Sequence, residues 1–179
     1  MTLEGYRRFY AEEISFTGNI HSPALVEAFA RVPREKFLGP GPWEIASAEI
    51  RGASALGTMQ TSYTRVDDPR HLYHDVVIVL DKAGDINNGH ASTLARWIDA
   101  LDLTAAARVY HLGSGVGYYP AIMAEVVGPG GSIAGTEVNS ELAARAQRNL
   151  SCYSNVTVEE SNGATFDPGA CDAKLVNAG

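Results

Sequence analysis

The fold is decided by a ten-residue stretch that reads Val109-Tyr110-His111-Leu112-Gly113-Ser114-Gly115-Val116-Gly117-Tyr118. A short apolar run followed by glycines at alternate positions is typical of a strand that turns sharply into a helix. Glycine lets the backbone turn tightly and lets its N–H groups approach a ligand closely. The stretch therefore predicts a strand, a ligand-binding loop and a helix, in that order.

The rest of the C-terminal half alternates between strand and helix patterns. Strands are predicted over residues 109–112, 132–137, 156–160 and 173–176, and helices over residues 119–127 and 140–150. Such alternation indicates a parallel sheet with right-handed crossovers. We therefore predict an α/β, Rossmann-like fold with a parallel sheet and helices on both faces.

The N-terminal half is less regular. Residues 1–42 are predicted to be helical and to end in a turn, with Ser22 capping one helix and Pro23 in its first turn. Residues 43–72 mix glycine, serine, threonine and charges, which predicts a long loop that could include short strands. We divide the chain into a preceding segment, residues 1–90, and a core, residues 91–179, within one structural domain.

Between these parts, residues 75–81 predict a buried strand and residues 82–89 a polar turn. Ser92 is expected to cap an amphipathic helix. The inner face of that helix is expected to carry Leu94, Trp97, Ile98 and Leu101.

An acidic residue accompanies the glycine loop. Glu137 ends the next predicted strand, 20 residues after Gly117, where a carboxylate can accept hydrogen bonds from both hydroxyls of a ribose. A dinucleotide-binding loop requires G-x-G-x-x-G, and Tyr118 occupies the place of its last glycine. The observed G-x-G-x-G spacing is the form seen in methyltransferases, whose cofactor has no pyrophosphate. A tight structural turn is the alternative.

Three further stretches, together with the glycine loop, carry a family signature: Arg31-Val32-Pro33-Arg34-Glu35-Lys36-Phe37, Tyr73-His74-Asp75 and Cys171-Asp172-Ala173-Lys174-Leu175-Val176-Asn177-Ala178-Gly179. With them the chain resembles the protein-L-isoaspartate O-methyltransferase family over nearly its whole length. The resemblance implies a class I methyltransferase. It also implies S-adenosyl-L-methionine as methyl donor, S-adenosylhomocysteine as product and a carboxylate as acceptor.

The resemblance also implies the cofactor-binding residues, which are His111, Gly113, Ser114, Gly115, Gly117, Tyr118, Glu137, Val138, Asn162 and Gly163. The glycine loop would surround the amino-acid portion of the cofactor, Glu137 its ribose and Asn162 its adenine. His111 stands where the family usually has an acidic residue, and Asn162 where it has an aspartate.

The largest local departure concerns the methyl acceptor. The family has a Gly-x-Thr-Ile-Ser-x-Pro segment before the helix that carries Leu94, whereas this chain has Asp85-Ile86-Asn87-Asn88-Gly89-His90-Ala91. Gly89 then falls at the serine position and Asn87 at the threonine position. We therefore expect weak or no activity on isoaspartyl peptides. Asn87, Asn88 and His90 become the candidate catalytic contacts for a different acceptor; a polar turn that caps a helix is the alternative.

Composition excludes several other classes. The formal net charge of −7 gives no electrostatic footprint for nucleic acid. No apolar run approaches the ~20 residues that cross a bilayer, and the N-terminus lacks the apolar region of a secretory signal. His71 and His74 are three residues apart without a second ligand pair, so no metal site is expected. Cys152 and Cys171 are expected to be free thiols in the cytoplasm.

Two alternatives remain open. One is a methyltransferase that acts on a small molecule or a modified peptide, and the other is a catalytically silent cofactor-binding or interaction domain. The predicted strands stop at the fourth of the core, residues 173–176, so the fold is expected to be truncated there. A homo-oligomer is expected to complete the sheet, because an uncovered strand edge is an aggregation hazard.

Overall fold

A computed structural model describes residues 1–49 and 60–177 of the 179-residue chain. Three helices occupy its N-terminal part: α1 (Leu3–Gly18), α2 (Pro23–Arg31) and α3 (Arg34–Leu38). The Ser22 hydroxyl accepts a hydrogen bond from Leu25 N at 3.3 Å, and Pro23 is the first residue of α2. The predicted helical character of residues 1–42 and the predicted cap are therefore confirmed.

An antiparallel sheet follows, with strands β1 (Trp43–Glu49), β2 (Gln60–Val66), β3 (Val77–Asp81) and β4 (Ile86–Asn87) in the order β2-β1-β3-β4. Residues 43–72 were predicted to form a long loop that could include short strands, and the described part contains two strands, β1 and β2, which pair along seven residues each. Residues 50–59 lie outside the described ranges. Most residues of β2 are polar, so its composition resembles that of a loop, although its threonine, tyrosine and valine residues favour a strand.

The neighbouring predictions need correction. Strand β3 begins at Val77 and buries only Ile78 completely, because it belongs to this small open sheet rather than to a buried core. The predicted turn over residues 82–89 contains β4, which pairs with β3. In that turn, Lys82 Nζ lies 3.0 Å from Glu44 Oε1 and 4.3 Å from the centroid of the Tyr63 ring. The turn is thereby attached to both β1 and β2.

Helix α4 (Ala91–Asp99) is capped from outside its own sequence. His90 is at the N-cap and makes no side-chain cap bond, so the predicted cap at Ser92 is wrong. Instead, the backbone N–H and the hydroxyl of Ser92 donate to the Asp75 carboxylate at 3.0 and 2.5 Å. Trp97 is 47% exposed and does not belong to the inner face, whereas Leu94 and Ile98 are buried as predicted.

The C-terminal half forms a parallel sheet with strands β5 (Arg108–Leu112), β6 (Ser132–Glu137), β7 (Val156–Glu160) and β8 (Ala173–Val176) in the order β7-β6-β5-β8. Helix α5 (Tyr118–Val127) connects β5 to β6, and α6 (Ser140–Asn149) connects β6 to β7. The predicted α/β, Rossmann-like fold is confirmed. No helix formed by residues 1–49 or 60–177 is both long and apolar enough to cross a membrane.

The two faces of this sheet are covered differently. Helices α5 and α6 pack on the face that carries Val109, Ile133, Val158 and Leu175, all in one hydrophobic core. On the face that carries Tyr110, the polar segment 161–172 lies over the strands, with Phe166 stacked on Tyr110 at 5.8 Å between ring centroids. Helices were expected on both faces of the sheet. In the part of the chain that the structure describes, they cover one face.

The N-terminal helices share this core. Phe29 of α2 and Phe37 of α3 contact the Tyr118 ring edge to face, at 6.3 and 5.6 Å between centroids. Tyr118 is the first residue of α5, directly after the glycine loop. The proposed boundary between residues 1–90 and 91–179 stays a prediction.

Candidate functional site

A cleft of about 330 Å³ lies between the two sheets, at the carboxyl ends of β5 and β6. This volume is within the range of small-molecule sites, which is roughly 300–1,000 Å³. One wall comes from the parallel sheet and its loops, with Gly113, Ser114, Gly115, Val116, Glu137, Val138 and Asn177. The other comes from the β3–β4 hairpin, with Leu80, Gly84, Asp85, Ile86, Asn87 and Asn88, and α5 adds Tyr118 and Tyr119.

The glycine loop is held directly over β6. Gly113 and Gly115 have φ angles of 84° and 54°, in the left-handed region that favours glycine. The backbone N–H groups of Gly113 and Ser114 both donate to Thr136 O at 2.9 Å. A Cβ on Gly135 would overlap the Ser114 hydroxyl, so β6 needs a glycine beneath the loop.

Glu137 connects this loop to the end of β6. Its carboxylate accepts hydrogen bonds from Gly115 N at 2.8 Å and from Asn139 N at 2.9 Å, and the residue is only 8% exposed. A carboxylate offers about four lone-pair positions, so roughly two remain for ligand hydroxyls. Because Glu137 lines the cleft, it is positioned for the ribose role that the sequence predicts.

Gly117, a predicted cofactor contact, lies at a packing contact between two helices. It is absent from the cleft wall, and a Cβ added to it would lie 2.7 Å from Leu150 Cδ1 and 3.4 Å from Ala146 Cα. Its φ angle is 90°. The glycine at this position therefore allows α5 to begin against α6, and its predicted contact with the cofactor stays a prediction.

His111 is also placed away from the cleft. It is fully buried behind the loop, and burial lowers the pKa of its imidazole to about 4. Its Nε2 lies 2.8 Å from the side-chain amide of Asn177, which does line the cleft. The sequence analysis missed Asn177, although its place directly after β8 is where ligand-binding residues of such sheets occur.

The predicted adenine contacts lie outside the cleft. Asn162 is exposed, and its Oδ1 accepts a hydrogen bond from Ala164 N at 3.0 Å. Gly163 packs so tightly that a Cβ there would overlap Leu112. Val138, by contrast, is 75% exposed at the edge of the cleft, where it offers apolar surface.

Two of the three predicted acceptor contacts come together. Asn87 Oδ1 accepts from Gly89 N at 2.8 Å, and Asn88 Oδ1 accepts from Ile78 N at 2.6 Å. Each amide oxygen thus accepts one hydrogen bond, and each NH₂ group can only donate. Asn88 is 8% exposed, and its Nδ2 has no partner among the residues that the structure describes.

The third, His90, is separate from them. Its side chain is 58% exposed, lies 3.9 Å from Asp75 Oδ1 and does not line the cleft. Tyr119, which the sequence analysis did not select, supports the hairpin wall by donating to Asn88 O at 3.1 Å. Asp85, also missed, lines the cleft from the hairpin turn with a φ angle of 52°.

The comparisons with known proteins all point to one family. The model of the family described as Protein-L-isoaspartate(D-aspartate) O-methyltransferase matches residues 58–170. The protein-L-isoaspartate O-methyltransferase of Ignicoccus hospitalis is 29% identical over 97% of this chain and 71% of its own length. The enzyme of that name from Methanothrix thermoacetophila is 32% identical over 78% of this chain and 54% of its own length.

Solved structures show the same fold. A protein-L-isoaspartate O-methyltransferase superposes with a TM-score of 0.73 at 23% identity, covering 97% of this chain and 48% of that one. A putative protein of that family from Plasmodium falciparum, solved with S-adenosyl-L-homocysteine, gives a TM-score of 0.66 at 16% identity, covering 96% of this chain and 73% of that one. The chain spans about half the length of several of its relatives.

Proposed function

Because the chain belongs to the protein-L-isoaspartate(D-aspartate) O-methyltransferase family of class I methyltransferases, we propose that its cleft binds S-adenosyl-L-methionine and directs methyl transfer to an oxygen acceptor. The observation that carries this proposal is the cleft wall in which Glu137 and the left-handed glycine loop meet at the ends of β5 and β6. Small ligands bind at this place in open α/β sheets.

The chemistry of the wall suits the cofactor. Gly113, Ser114 and Gly115 would lie against its amino-acid portion, Glu137 would accept from its ribose hydroxyls, and Val138 would cover its adenine. Asn162 and Gly163 stay candidates for the adenine edge. The bound cofactor supplies an electrophilic methyl group on a sulfonium, so the protein has to align an acceptor oxygen with it.

The acceptor side of the cleft favours a carboxylate. Asn87 and Asn88 offer two NH₂ donors, which can hold the oxygens of an anion. A carboxylate is already ionised at neutral pH and needs no general base, whereas a hydroxyl acceptor needs one. No histidine is among the residues that line the cleft as described, and His90 faces solvent beside Asp75.

Two measurements test this function. Titration calorimetry should show that S-adenosylhomocysteine binds; binding of NADH without S-adenosylhomocysteine would contradict the proposal. Methyl transfer should then be measured on isoaspartyl peptides, ordinary aspartyl peptides, small carboxylic acids and phenols. We expect esterification of a carboxylate, with weak or no turnover of isoaspartyl peptides because Gly89 replaces the family's serine. Efficient turnover of an isoaspartyl peptide would contradict that part.

The same panel separates the alternative acceptors. A modified peptide or a small molecule remains the second candidate, favoured by Asn87 and Gly89 in place of the family's threonine and serine. Binding of S-adenosylhomocysteine without turnover of any member of the panel would favour a silent cofactor-binding domain.

Partners and compartment complete the proposal. Within residues 1–49 and 60–177, β8 pairs with β5 alone, and we propose that the other edge of β8 pairs with a strand of a second copy. Light scattering should show a dimer; a stable monomer at high concentration would contradict it.

The free thiols of Cys152 and Cys171 support a cytoplasmic location.

A further inference from the structure

The side-chain amide of Asn177 has a defined orientation at the end of the cleft next to Gly113. One end of the amide is surrounded by Gly113 O at 2.9 Å, Leu112 O at 3.1 Å and His111 Nε2 at 2.8 Å. Two of these atoms are carbonyl oxygens, which only accept, so this end is the NH₂ group. The oxygen Oδ1 is then the end left to accept a hydrogen bond from a ligand.

His111 completes this orientation. The imidazole is fully buried, and burial keeps its pKa at about 4, so it is neutral at pH 7. A neutral imidazole that accepts at Nε2 carries its proton on Nδ1. An imidazole with its proton on Nε2, whether charged or in the other neutral tautomer, would turn the amide of Asn177 around. The tautomer of His111 and the direction of the Asn177 amide are therefore coupled.

The ligand group that suits this position is one that carries N–H donors, because Oδ1 can only accept. The only carboxylate on the loop side of the cleft, in the part of the chain that the structure describes, is Glu137, whose two oxygens already accept from Gly115 N and Asn139 N. Asn177 Oδ1 is a second acceptor and is uncharged. Asn177 follows β8 and Glu137 ends β6, and these two strands lie on opposite sides of β5. A methionine portion that extends along the loop would bring its ammonium to this end.

We propose that Asn177 Oδ1 accepts a hydrogen bond from the α-ammonium group of the methyl donor and that His111 is the positioning residue that fixes the Asn177 amide. This inference rests on the proposed cofactor binding. It gives His111 an indirect role in place of the direct contact expected from the sequence. It also assigns a ligand-binding role to a residue of the fourth strand of the sheet.

The test compares two ligands by titration calorimetry: S-adenosylhomocysteine and its deaminated analogue, in which hydrogen replaces the ammonium group. The wild-type protein should bind S-adenosylhomocysteine about tenfold more tightly or better, as expected for a hydrogen bond to a charged group. Asn177→Ala should reduce this ratio to about twofold or less, without changing the affinity for the deaminated analogue. Asn155→Ala, away from the cleft, is the matched control and should keep the wild-type ratio.

Variants of His111 test the positioning role. His111→Gln keeps an acceptor for the amide of Asn177 and should keep much of the ratio, whereas His111→Phe removes the acceptor and should lower it. Nitrogen NMR of the wild-type imidazole should show the proton on Nδ1. If Asn177→Ala does not fold, as judged by its thermal unfolding, Asn177→Ser takes its place.

The outcomes are distinguishable. An unchanged ratio in Asn177→Ala, or an equal loss of affinity for both ligands, would overturn this inference while leaving cofactor binding intact. A proton on Nε2 would overturn the role of His111. Failure of the wild-type protein to bind either ligand would overturn the proposed function and this inference with it.

Discussion

Gly117 and Leu150 approach each other so closely that a Cβ on Gly117 would lie 2.7 Å from Leu150 Cδ1. The contact joins the start of α5 to the residue that ends α6, and Gly117 adopts a φ angle of 90° there. The three glycines of one sequence motif thus have two different purposes: Gly113 and Gly115 line the cleft, and Gly117 permits helix packing.

Gly117→Ala should therefore destabilise the fold. The added methyl group meets Leu150 and an unfavourable backbone conformation together, which should lower the free energy of unfolding by about 2–4 kcal/mol. Urea unfolding followed by circular dichroism measures this. The double variant with Leu150→Ala should not recover the wild-type value, because the backbone strain remains. An unchanged unfolding midpoint for Gly117→Ala would show that the packing argument is wrong.

Gly115→Ala should affect ligand binding more than it affects stability. Its φ angle is 54°, and the nearest atom to an added Cβ is Leu80 Cδ1 at 3.7 Å, so the cost to stability should be only about 1–2 kcal/mol. Because Gly115 and Leu80 both line the cleft, the methyl group would narrow it. We expect weaker binding of S-adenosylhomocysteine by calorimetry. Wild-type affinity in this variant would place the ligand elsewhere.

Glu137→Gln should weaken ligand binding. The variant replaces a charged acceptor by an amide, one end of which would face the N–H groups of Gly115 or Asn139. The expected loss of binding free energy for S-adenosylhomocysteine is about 1.5–3 kcal/mol. Glu159→Gln, at an exposed position of β7, is the control and should bind normally. Equal affinities in the two variants would exclude Glu137 as a ribose contact.

His111 should make stability depend on pH. Burial lowers its pKa from 6.5 to about 4, so between these values the unfolded chain binds a proton that the folded chain does not. Stability from this group is present above pH 6.5 and is lost as the pH falls toward 4, by on the order of 3 kcal/mol in all. Denaturant unfolding at about pH 7, 6 and 5 measures the slope.

The control for this slope is a matched pair of variants. His111→Gln should flatten the decrease in stability over that pH range, whereas His71→Gln, at an exposed position, should leave it unchanged. The same decrease in His111→Gln as in the wild-type protein would assign the pH dependence to other groups.

Much of the parallel sheet could be predicted from the sequence, because its signals are local. Each strand from β5 to β8 contains apolar residues at alternate or adjacent positions, and the glycines after β5 mark a sharp turn into a helix. The place of Glu137 in the cleft could also be predicted, because Glu137 ends a strand and the carboxyl ends of parallel strands meet at one edge of the sheet.

The rest depends on contacts between distant residues. The contact between Asn177 and His111 depends on the pairing of β8 with β5, because the two residues are 66 positions apart in the chain. The donor role of Asn88 depends on Ile78 N, which occupies its oxygen across the hairpin. The cap of α4 comes from Asp75, 17 residues before Ser92, so the nearest serine was the wrong choice.

The attachment of Lys82 to Glu44 and Tyr63 has a consequence for how this enzyme family can diverge. The hairpin wall of the cleft belongs to an antiparallel sheet whose supports, β1 and β2, supply none of the described residues that line the wall with Glu137 and the glycine loop. If the proposed roles of the two walls are correct, changes in these supports would move Asp85 and Asn87 while Glu137 and the glycine loop stay in place. Acceptor preference would then be selected independently of cofactor affinity.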